Sequence, residues 1–158
     1  MSDRRLLLLA AALLTGCAAG YVEPDVSPTV AYLTLEPGDM NGATRIVYSA
    51  FHDAACTPRE GDGAVATVGL GAGPAKTIRV FSGGPIYIRA LRQITVANGT
   101  LRSCVNLISF VPQPDRQYRL MPETDADRPC ELTLIDAHTE KNEASLKRLQ
   151  PGLACSAP

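Results

Sequence analysis

The sequence predicts an all-β fold: a small antiparallel β-sandwich with one short C-terminal helix. Three observations lead there. Short runs rich in Val, Ile, Thr and aromatic residues recur along the chain, with apolar and polar side chains alternating. Clusters of Gly, Pro, Asn and Asp separate them. Four cysteines, Cys56, Cys104, Cys130 and Cys155, contain no CxxC pair, which argues for disulfides over zinc or thioredoxin-like redox chemistry. Many short strands divided by turns form the pattern of a sandwich.

The elements follow in order. Val30 to Leu35 reads as the first strand and Arg45 to Phe51 as the second, with Asn41-Gly42 supplying the positive φ of a tight connection. Residues 57–63 form a polar loop, and Ala64 to Leu70 a weak strand. Lys76 to Phe81 alternates as Ile78 and Val80 against Thr77 and Arg79. After the turn Ser82-Gly83-Gly84-Pro85, residues Ile86, Ile88, Ala90, Ile94 and Val96 share one parity, with Arg92 breaking the stripe as a bulge or bend would. Asn98-Gly99 then predicts a hairpin to Thr100–Val111. Pro112-Gln113-Pro114-Asp115 predicts a further reversal, with Tyr118 to Met121 pairing back. Cys130, Leu132 and Leu134 mark the last strand. Thr139 to Gln150 lacks a β-branched run, places Glu143 and Lys147 at i,i+4, and ends at Pro151-Gly152, so it predicts the helix, capped by Thr139.

The N-terminus has its own logic. Arg4 and Arg5 make a positive start, and Leu6 to Leu14 an apolar run too short to span a bilayer. Leu14-Thr15-Gly16-Cys17 resembles the lipobox of bacterial lipoproteins, in which an aliphatic and two small residues precede the modified cysteine. The resemblance implies cleavage before Cys17, a thioether-linked diacylglyceryl group on its sulfur and a further acyl chain on the new amino terminus, enough lipid for stable anchoring. Arg4-Arg5 lacks the fuller twin-arginine pattern, which favours Sec export. Ala18 after the lipidated residue implies the outer membrane, by resemblance to lipoproteins of enteric-type bacteria. The expected organisation is a signal peptide at 1–16, a lipidated tether at 17–28 and the sandwich at 29–158.

Removing residues 1–16 leaves a chain of about 140 residues, enough for one domain with its own core. The whole chain has a net charge of −1. Loss of Asp3, Arg4 and Arg5 brings the mature chain to about −2, with no basic patch to attract nucleic acid. In an oxidising compartment the four remaining cysteines fit two disulfides. Four cysteines allow three pairings, and spacing does not choose among them. Cys104–Cys130 with Cys56–Cys155 is the preferred one.

The cluster Phe110-Val111-Pro112, Tyr118, Cys130-Glu131-Leu132 and Asp136 resembles small uncharacterised proteobacterial lipoproteins. That resemblance implies a transthyretin-like or immunoglobulin-like sandwich and brings no activity with it.

Chemistry is sparsely marked. His52 lies beside Asp53, and His138 lies two residues after Asp136. An acid–base or metal site would need the fold to bring these four together. No GxSxG elbow is present. Gly69-Leu70-Gly71-Ala72-Gly73 lacks the GK[ST] of a phosphate loop, and Asn98-Gly99-Thr100 is explained by its turn. The expectation is a non-enzymatic, cofactor-free envelope lipoprotein with a binding or assembly role and an envelope protein as partner. A lipoprotein of a secretion machine is one version. The alternatives are a periplasmic hydrolase inhibitor presenting loop 57–63 or 122–129, and a metal-binding or enzymatic protein using His52 and His138.

Overall fold

A computed structural model describes residues 20–37, 44–69, 73–95, 99–123, 131–152 and 155. The strands are β1 (Val30–Leu35), β2 (Thr44–Phe51), β3 (Gly63–Gly69), β4 (Lys76–Phe81), β5 (Ile86–Thr95), β6 (Leu101–Phe110), β7 (Gln117–Pro122), β8 (Leu132–Asp136), β9 (Lys141–Asn142) and β10 (Lys147–Leu149). They form two sheets in the orders β4-β1-β7-β8-β9 (sheet I) and β10-β6-β5-β2-β3 (sheet II). The expected β-sandwich is the observed fold. Among the described residues, no helix is long and apolar enough to cross a membrane.

Period-2 alternation builds the core. In β1, Ala31, Leu33 and Leu35 are buried while Tyr32 and Thr34 are half-buried on the outer face. Leu33, Leu35, Ile78, Val80, Leu120 and Leu134 of sheet I meet Ile46, Tyr48, Val68, Ile88, Ile108 and Phe110 of sheet II in one cluster. Such face-to-face packing of two inner faces is what a sandwich core requires.

Two connections and one bulge differ from the sequence reading. β1 does not pair with β2; the two lie in different sheets, and Asn41-Gly42 falls outside the described residues. β7 does not fold back on β6 but crosses to sheet I, where it lies parallel to β1 with Leu33 opposite Tyr118. Parallel partners require such a crossover. Arg92 marks no bulge: β5 holds a continuous register through it with both β2 and β6. The irregularity sits between Tyr48 and Ser49 against β3. The Asn98-Gly99 hairpin is as expected where described, with Thr95 opposite Leu101 and Gly99 at φ 77°. An immunoglobulin order would put the first two strands in one sheet. This chain separates them.

The C-terminal helix is not formed. Residues 136–150 instead make a turn, β9, a second turn and β10. Asp136 starts the first turn by accepting from the backbone N–H of His138 at 2.8 Å, and Glu140 takes a positive φ of 53°. The Glu143 carboxylate accepts from the N–H and hydroxyl of Ser145 rather than pairing with Lys147, and the Ser145 Oγ accepts from the Val111 N–H. An isolated short helix is marginal in water, and one i,i+4 pair adds only about 0.3–0.5 kcal/mol. The open edges of β8 and β6 offer ladder bonds and a place for Leu146 against the core, which outweigh it.

The opposite side of the sandwich is closed by the chain before β1. Residues 20–23, assigned above to the tether, are docked. Gly20 bridges Ala64, and the N–H groups of Tyr21 and Val22 donate to the carbonyls of Ala64 and Gly61. The Tyr21 hydroxyl donates to the Arg79 carbonyl at 2.9 Å, and Glu23 pairs with Arg79 at 3.2 Å. This strap covers the edge of β3 and ties it to β4. Replacing Tyr21 by Phe keeps the ring packed and removes one bond between the sheets. The expected cost is about 1 kcal/mol in urea unfolding.

Candidate functional site

The β2–β3 hairpin loop, residues 52–62, begins with His52 and ends with Asp62. Ala50 and Gly63 are opposite one another in the ladder, so the two side chains emerge side by side at one end of the sandwich. His52 Nδ1–H donates to Asp62 Oδ1. Asp62 is 3% exposed, whereas the imidazole reaches solvent. Asp62 Oδ2 is buried with no hydrogen-bond partner among the described residues.

This pair sits in a cleft of about 460 Å³ between the ends of the two sheets. The volume lies within the range of small-ligand sites. Tyr21 and Val22 of the strap form one wall, Phe51 and Ile86 of sheet II another, and Phe81 with Pro85 a third. Glu60 stands at the rim, and among the described residues no Lys or Arg lines the cleft. Burial, then the charges of Glu23 and Asp62, push the Tyr21 phenol up to about 12.

Ser82 shares the cleft with His52 and Asp62, so the residue types of a nucleophilic triad lie together. Only two of them are in contact. The Ser82 hydroxyl donates to the Thr29 carbonyl at 2.6 Å, a bond that fastens the β4–β5 turn to the strap. With Nδ1 of His52 engaged by Asp62, Nε2 is the ring nitrogen left for a further contact.

The four residues singled out in the sequence are not one site. His52 pairs with Asp62 and not Asp53. The Asp53 carboxylate accepts from the N–H groups of Ala55 and Thr57 and pairs with Arg59. The Thr57 bond above all, with Ala55 and Arg59 adding to it, holds this carboxyl below the usual range. His138 lines a different, smaller pocket with Asp115, Arg116, Gln117 and Ala137, and the two pockets share no residue. Asp136 builds its turn and pairs with Arg116 at 3.6 Å. Among the described residues, no three His, Cys, Asp or Glu side chains converge on one point.

Asp62 was missed because its partner is ten residues away. The available signal was the Gly61-Asp62-Gly63 hairpin stem facing His52, readable only with the β2–β3 register in hand. Loop 57–63 is pinned by Asp53 at one end and Asp62 at the other. Of loop 122–129, only Pro122 and Glu123 lie within the described residues.

Cys56 and Cys155 form a disulfide with Cα atoms 5.3 Å apart. With Leu107 they make a second, smaller cluster backed by Phe51, Tyr87 and Leu149. These are the alternate residues to core-facing Ala50, Ile88 and Ile108, so the bridge lies on the outer face of sheet II. Cys104 is also disulfide-bonded. Cys17 and Cys130 fall outside the described residues.

No protein-family model matches this chain, and no curated protein matches it.

Proposed function

We propose that the protein is a lipid-anchored envelope lipoprotein, held in the outer membrane through Cys17, whose disulfide-stapled sandwich serves a binding or assembly role without catalysis. The observation that carries the reading is the N-terminal pattern: Arg4-Arg5, the apolar run Leu6 to Leu14, and the small pair Thr15-Gly16 before Cys17. Positive start, apolar stretch and small-residue cleavage site fall in the order that export and processing need. The Cys56–Cys155 bridge supports the same compartment, since disulfides persist where the surroundings are oxidising. A binding role is supported by the cleft, whose walls are mainly apolar and whose serine is engaged with Thr29. The partner is an envelope component met at the membrane surface.

Mass spectrometry of the mature chain from a bacterial host tests the anchor. The expected product begins at Cys17 and carries the mass of a diacylglyceryl group and an acyl chain. Cys17→Ser is expected to leave the membrane fraction or to accumulate as precursor. An unmodified Cys17 still preceded by Gly16 overturns the reading.

A further inference from the structure

The docked strap constrains how an anchored domain would meet its membrane. We infer that the cleft end of the sandwich lies against the phospholipid surface, with Val22 and Phe81 seated among headgroups and upper acyl chains. The inference rests on the reading of Cys17 as the lipidated residue, and adds to it the face and the residues that touch lipid.

The first argument is the length of the leash. The chain is bound to the domain from Gly20 onward, through the Ala64 bridge and the N–H groups of Tyr21 and Val22. Three Cα–Cα steps separate Cys17 from Gly20 and span at most about 11 Å. The lipid on Cys17 is therefore held within that distance of the edge of β3, beside the cleft. A domain on a leash of ten or more free residues could face any way. This one cannot turn its opposite end to the bilayer.

The second argument is where apolar surface is left uncovered. Val22 and Phe81, 66% and 63% exposed, both stand on the cleft rim. Val26, 73% exposed, follows on the strap. Large exposed apolar side chains gathered at one end mark an interaction surface. With Glu60 at the rim and no Lys or Arg among the described residues lining the cleft, the attraction is apolar and suits zwitterionic lipid rather than an anionic surface.

The chain contains no tryptophan, so a single introduced one reports its own surroundings. Phe81→Trp places the reporter on the cleft rim at an exposed site. Leu101→Trp places it at another exposed apolar site, 59% exposed at the far end of β6. β5 runs the length of the sandwich between them, about 30 Å for ten residues. Each full-length variant is produced in a bacterial host, purified from its membranes and reconstituted in phosphatidylcholine vesicles brominated on the acyl chains. Phe81→Trp is expected to be quenched at least twofold and shifted to the blue, unchanged by added salt, with Leu101→Trp unaffected. Equal quenching of the two variants, or none of either, in protein that floats with the vesicles overturns the inference and leaves the anchor standing. A Phe81→Trp signal shielded from aqueous iodide but untouched by bromine means that protein covers this face, and also overturns it. A chain that carries no lipid and fails to float removes the anchor and the inference together.

Discussion

Replacing both Cys56 and Cys155 by serine is expected to lower the unfolding free energy by about 5 kcal/mol, measured in urea under non-reducing conditions. The bridge joins residues 99 apart in sequence, so it constrains most of the unfolded chain. Loop-closure entropy for a loop of this length is worth somewhat more than 4 kcal/mol, and two buried hydroxyls in place of sulfur add a smaller cost. The native side of the balance points the same way. Cys56 and Cys155 are buried on the outer face of sheet II, where they cover Leu107 with help from Phe51, Tyr87 and Leu149. Leu149 belongs to β10, which pairs with β6 over only three residues, Lys147 to Leu149. Without the bridge this edge is expected to fray first, and amide exchange at Leu107 to Ser109 should quicken before that of β5. A loss below about 1 kcal/mol would mean that the bridge adds little constraint to the unfolded chain.

The strands were legible because their side chains alternate. The run Lys76 to Phe81 buries Ile78 and Val80, and the run Ile86 to Thr95 buries Ile88 and Ala90, as their parity predicts. Beyond the Asn98-Gly99 hairpin, which strands pair was not legible. A Pro-rich link such as 112–115 says that the chain turns, not whether it returns to the same sheet. Here Tyr118 decides: its ring meets Phe110 edge-on across the sandwich at 5.2 Å, and its oxygen accepts from the Gln113 N–H at 3.0 Å. Those contacts hold the crossover into sheet I, and they involve residues the sequence marked without giving their arrangement. The C-terminal segment misled for a related reason. Its helical features were local and weak, while the bonds that shaped it came from edges built far earlier in the chain. The same holds for the cleft. His52 was visible, but Asp62, Phe81 and Tyr21 reach it from a hairpin stem, another sheet and the strap.

Tyr48 offers the sharpest test of how the two sheets are joined. Its ring is fully buried beside the irregularity in β2, and its hydroxyl donates at 2.9 Å to the carbonyl of Glu36, just past β1 in the other sheet. Glu36 is held in turn, its N–H donating to the Leu120 carbonyl and its carboxylate bonded to Arg119 at 2.7 Å. Removing the ring with Tyr48→Ala is expected to cost about 4 kcal/mol, the usual price of deleting a buried aromatic side chain. Tyr48→Phe fills the same space and loses one bond, so it should cost only about 1 kcal/mol at neutral pH. The two proteins should then differ in alkali. Burial above all, with the Glu36 charge adding to it, raises the Tyr48 phenol above its ordinary value, and Tyr21 is raised to about 12. An unfolded tyrosine loses its proton near pH 10, before the folded one does. Over that window the unfolded state binds fewer protons, so stability is whole below about pH 10 and falls as the pH rises through the folded values. Each unit of upward shift is worth about 1.4 kcal/mol, so the fall should reach a few kcal/mol by pH 12. Tyr48→Phe removes the larger of these contributions. Its urea midpoint should therefore start below that of the parent protein at pH 8 and decline less steeply, closing the gap by pH 12. If the two curves fall in parallel, the phenol of Tyr48 is not what the alkali titrates.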